Sequence, residues 1–204
     1  MKISDELNLV IPLGSKDEQM WAYHKPISQD VFKSNYFSLA AVKAELMAKG
    51  AAFTMDAGPR IAALMLTDEA RKEARKRGDL DGNGDGSDAS ARSLLAEIRR
   101  LTTIVKGGSD GYEQTPADVS LQRGKVDKDD WEELESALVF FTCFYAMERK
   151  RSKEETAKAT SSLFQGFVTS LSITDWINSL QMLSRGESTE APTAPAKVVS
   201  SVPV

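Results

Sequence analysis

Asp130-Trp-Glu-Glu-Leu-Glu-Ser-Ala-Leu-Val-Phe-Phe-Thr-Cys-Phe-Tyr-Ala-Met147 holds the longest apolar run of the chain, and its spacing decides the fold. Trp131, Leu134, Leu138, Phe141 and Tyr145 recur at helical intervals. Phe140 and Phe144 widen that face until most of the circumference is apolar. A helix of this kind is buried on all sides and belongs at the centre of a molecule. Asp127-Lys-Asp-Asp130 opens it with acidic groups where the helix dipole favours negative charge. The run Ala137–Met147 falls well short of the ~20 residues needed to cross a bilayer, so it reads as a buried helix and not a membrane span.

Downstream, Ser152-Lys-Glu-Glu155 has the form of a capping box, predicting a fifth helix with Ala157, Phe164, Phe167, Val168 and Leu171 on one side. Ser172-Ile-Thr-Asp175 bends or breaks it before a last segment carrying Trp176, Ile177, Leu180 and Leu183. From Gly186 onward Pro, Ala, Thr, Ser and Val take over, with too little apolar bulk to fold, so 186–204 reads as a disordered tail.

Upstream, Leu94, Leu95, Ile98, Leu101, Ile104 and Val105 form the stripe of a third helix, followed by a glycine-rich stretch, 106–126, that reads as a long functional or mobile loop. A second helix runs from Gly58-Pro59 through Ile61, Leu64 and Met65 into the charged run Arg71–Arg77. A first helix, capped by Ser28, carries Val31, Phe32, Tyr36, Leu39, Val42 and Leu46 and stops at Gly50. Leu7–Leu13 and Gln19–His24 alternate and are joined by turn residues, predicting a β-hairpin over 6–26. The expected architecture is therefore mainly α: one domain over 1–185, a bundle of about five helices with a small N-terminal hairpin, followed by the tail.

The chain has 204 residues and a net charge of -4, a balance unsuited to coating nucleic acid. Cys143 is the single cysteine, which excludes an intrachain disulfide and suits a reducing compartment. The opening residues Met1–Glu6 lack the basic-then-apolar order of a secretory leader.

The most tempting chemical motif is Asp79-Leu-Asp-Gly-Asn-Gly-Asp-Gly86, which matches the first half of an EF-hand loop with oxygen ligands at alternate positions. Its second half fails. In a 79–90 register Gly86 replaces the branched apolar residue and Ser90 the bidentate Glu, and a start at Asp81 puts Arg92 in that last place. A solvated turn of good turn formers fits better, although a calcium-responsive module using Asp79, Asp81, Asn83 and Asp85 stands as an alternative. The basic clusters Arg71–Arg77 and Arg149–Lys153 lack interleaved aromatics and read as solvated helix ends. His24 has no second histidine to share a metal with, and Cys143 among Phe140, Phe141 and Phe144 reads as a small hydrophobe. No catalytic constellation, metal set or cofactor site emerges, so the expectation is a non-enzymatic interaction protein. Trp176, Ile177, Leu180 and Leu183 fit a core, yet a terminal amphipathic segment beside a loose tail also suits a partner helix, which makes these four the candidate partner-binding residues.

Together, the opening pair Leu7-Asn-Leu-Val-Ile-Pro-Leu13 and Trp21-Ala-Tyr-His-Lys-Pro-Ile-Ser28, the run Asp130–Thr142, the serine-capped helix and the Pro/Ala tail resemble the tail assembly chaperones of long-tailed, non-contractile bacteriophages. The resemblance spans most of residues 3–183. It implies a small, mainly helical protein that holds the tape measure protein soluble until tail tube subunits polymerise around it. It further implies self-association, residence in the host cytoplasm without retention in the mature virion, and a longer product made by programmed ribosomal frameshifting. A head–tail connector component is the structural alternative.

Overall fold

Residues 3–14, 19–108 and 111–186 are described by the computed structural model. β1 (Ile3–Leu13) and β2 (Met20–His24) pair antiparallel with Leu9 opposite His24 and Leu13 opposite Met20, so the predicted hairpin is present. It does not stand alone. β3 (Thr102–Gly108) adds to β2, β4 (Gly111–Pro116) adds to β3, and β5 (Phe167–Leu171) pairs with the free side of β1. The result is a five-stranded antiparallel sheet in the order β4-β3-β2-β1-β5.

Nine helices accompany it among the described residues: α1 (Gln29–Ser34), α2 (Tyr36–Ala48), α3 (Ala51–Asp56), α4 (Gly58–Arg77), α5 (Ala89–Arg100), α6 (Ala117–Gln122), α7 (Lys128–Tyr145), α8 (Lys153–Ser162) and α9 (Ile173–Gly186). The fold is mixed α and β, and the expectation of a mainly α bundle of five helices is corrected accordingly. The cause lies in short segments that satisfy two periods at once. Leu101, Ile104 and Val105 fit a helical stripe, but Thr102-Thr-Ile-Val105 is a β-branched run, and pairing with β2 claims it once α5 ends at Arg100. Phe167 to Leu171 repeats the pattern at the end of α8, where Gln165 adopts φ 58 and turns the chain onto β1. The stretch 106–126, expected as a loop, holds the end of β3, β4 and α6.

The pleat sorts the sheet into two cores. Leu9, Ile11, Leu13, Met20, Ala22 and Ile104 face α2, α4, α5 and α7, whose Leu39, Leu46, Leu66, Leu94, Ile98, Leu138, Phe140 and Phe141 are fully buried or nearly so. α7 lies at the centre of this layer, as its sequence predicts. Val10, Tyr23 and Val105 point to the other face and are covered by Trp176 and Ile177 of α9. Trp21 and Tyr23 pack their rings against Trp176, each at a centroid distance of 5.9 Å. Positions 187–204 of the expected tail lie outside the described residues.

Candidate interaction surface

α2 is the anomaly among the longer surface helices. Its inward positions Leu39, Val42 and Leu46 are fully buried. Its outward line, Phe37, Ala41, Ala44 and Ala48, carries no charge, with Met47 beside it and only Lys43 and Glu45 charged along the helix. An ordinary surface helix opposes its apolar stripe with a polar one, and α2 lacks that polar stripe. Phe37 is 78% exposed and Met47 60% exposed. Phe37 extends an aromatic edge-to-face series through Tyr36 to Phe32 of α1, with centroids 5.7 and 5.8 Å apart.

Local chemistry fixes the corner that continues this face. α2 stops at Gly50, whose φ of 95° is costly for any residue with a side chain. The Thr54 hydroxyl then donates to the Leu46 carbonyl at 2.7 Å, satisfying a terminal acceptor of α2 and binding α3 to it. Lys43 lies 5.0 Å from the centroid of the Phe144 ring, which holds α2 against α7. α3 presents Ala51, Ala52 and Met55 to solvent, Met55 being 59% exposed.

Met55 also lines a cleft of about 920 Å³ between the ends of β1 and β2, the α3–α4 junction, the first half of α7 and the segment after α8. Pro12, Trp21, Leu134, Leu163 and Phe164 are among its lining residues. Asp56, Arg60, Asp130 and Glu133 stand exposed at its margin, and the three carboxylates have no ion-pair partner among the described residues.

Of the residues expected to meet a partner, Trp176 and Ile177 are buried against the outer face of the sheet, where they complete the second core. Leu180 is half-buried at its edge, and the Leu183 side chain lies outside the described residues. As α9 sits, Trp176 and Ile177 are structural. Ser172 and Asp175 cap this helix reciprocally, the Asp175 amide donating to Ser172 Oγ at 3.2 Å and that hydroxyl donating to the Asp175 carboxylate at 2.8 Å. The capping box expected at Ser152 does not form; that hydroxyl donates to Glu148 at 2.6 Å.

The glycine–aspartate loop is accounted for by its own geometry. Asp81 Oδ1 accepts the amides of Asn83 and Asp85, each at 2.9 Å, as an Asx turn. Asp85 is paired with Arg75, whose guanidinium holds the carboxyl below its usual range. Gly86 lies against α4 so closely that a Cβ would approach the Arg71 carbonyl oxygen to 2.0 Å. No group of acidic, histidine or cysteine residues among those described is arranged to hold a metal ion.

Arg71, Lys72, Arg75 and Lys76 are all in ion pairs with neighbouring carboxylates. Cys143 is fully buried, and burial pushes its thiol up to about 12. His24 is likewise buried, with Nδ1 3.0 Å from the Thr102 hydroxyl and no partner for Nε2 among the described residues. No described helix is long and apolar enough to cross a membrane. No family model, curated protein or solved structure matches this chain.

Proposed function

We propose that this chain is a non-enzymatic assembly chaperone of the phage-tail type, which covers the apolar stripe of the helical tape measure protein until tail tube subunits replace it. The single observation that carries the reading is the uncharged outward face of α2 with Phe37 and Met47 standing in solvent. A contiguous apolar face on a surface helix, unlike a single exposed hydrophobe, suits docking by another protein. Methionine suits a surface that must accept varied sequence, because its flexible thioether repacks at low cost. Alanines at 41, 44 and 48 let a second helix backbone come close.

Binding an exposed rod through such a face works by mass action: it lowers the free concentration of the aggregation-prone form, and tube subunits that bury the same stripe displace it. Many copies along one rod add up by multivalency without a single tight site. This reading places the protein in the host cytoplasm and outside the finished particle.

Co-expression with the tape measure protein of the same genome tests it. The expected result is a soluble complex containing both chains, with the tape measure insoluble when expressed alone. Absence of both the complex and the gain in solubility would refute it.

A further inference from the structure

Resting on the partner reading above, we infer that the cleft beside α3 and α7 takes the part of a partner helix where an apolar stripe is flanked by lysine or arginine. Asp130 and Glu133 lie one turn apart on α7, and Asp56 reaches the same margin from the end of α3. Elsewhere on this surface most basic side chains of α4 and α5 are matched by a carboxylate, whereas these three acids have no ion-pair partner among the described residues. Among the described residues Arg60 is the one cation lining the cleft, so the described lining has an excess of negative charge.

Beside the acids, Met55, Leu163 and Phe164 line the same cleft and offer apolar surface to an incoming side chain. Met55 belongs at once to this cleft and to the exposed α2–α3 face, so a helix lying along α2 is led into it. The acidic margin and these apolar side chains together select a helix with basic flanks, since like charges facing each other across an interface oppose binding. An acidic-flanked helix of equal apolarity would be disfavoured.

The test uses the full chain and two synthetic amphipathic peptides of about 18 residues, roughly 27 Å of helix. They share one leucine–phenylalanine stripe and carry either lysine or glutamate flanks. The lysine peptide is expected to bind saturably in fluorescence anisotropy at low salt, roughly 10-fold or more tighter than the glutamate peptide, with the preference fading as salt rises.

The double variant Asp130→Lys with Glu133→Lys should reverse that preference. Both side chains are exposed, so folding is expected to survive with a modest drop in melting temperature from charge reversal at Asp130 in the first turn of α7, and a cooperative circular dichroism melt verifies it. Equal binding of the two peptides, or a lysine preference that persists in the double variant, would overturn the inference. A dimer that excludes the peptide from Met55 and Leu163 would overturn it as well. Charge-selective peptide binding without capture of the tape measure would support the cleft assignment and retire the phage reading alone.

Discussion

At the scale of single residues, His24 has the clearest consequence. Desolvation holds its ring at a pKa of about 4, against 6.5 in an unfolded chain, so the folded protein carries it neutral. A folded pKa below the unfolded one means the contribution is complete above pH 6.5 and is withdrawn as pH falls to 4. At ~1.4 kcal/mol per unit, up to about 3 kcal/mol of stability is lost across that window. Urea unfolding at pH 7 and pH 4 should show this loss, and His24→Gln should flatten the slope even if it is less stable at pH 7. Gly58 is a second test of close packing. A Cβ there would come 2.6 Å from Phe140 Cε2, so Gly58→Ala is expected to cost about 1–3 kcal/mol in the same assay.

At the scale of elements, α2 and α9 should respond in opposite ways. Phe37→Asp and Ala44→Glu touch only the outward line of α2, so stability should change by less than about 0.5 kcal/mol while partner binding is lost. Trp176→Ala removes the ring that seals the outer face of the sheet, and a loss of about 3–5 kcal/mol is expected in thermal or urea melts. The loop between α4 and α5 gives a third contrast. Asp85 is occupied by Arg75 and Asp81 by backbone amides, so calcium and chelator should yield the same melting temperature. A calcium-dependent rise of several degrees would show that the loop rearranges into an ion site.

At the scale of the whole molecule, local signals carried some elements and missed others for identifiable reasons. α7 and α4 were legible because long apolar periodicity admits one reading, and the β1–β2 hairpin because alternation is bounded by turn residues. The remaining strands are short and draw their partners from far along the chain. β5 pairs with β1 across more than half the sequence, which no local pattern encodes. The proposed interaction face was half legible. Tyr36, Leu39, Val42 and Leu46 marked the helix, while Phe37 and the alanines passed as filler although the near absence of charge from 36 to 48 was there to read. The cleft is assembled from separated elements, so only the fold brings Asp56 to Asp130 and Glu133.

Oxidation footprinting of the complex with the tape measure protein tests the proposed chaperone role most directly, because the outward face of α2 and α3 carries two exposed methionines. Free protein treated with dilute peroxide should oxidise at Met47 and Met55 well before the buried Met20 and Met65. In the complex, Met47 and Met55 should become protected while Met20 and Met65 remain slow. Oxidation of Met47 and Met55 at the same rate in free and bound protein would contradict the account.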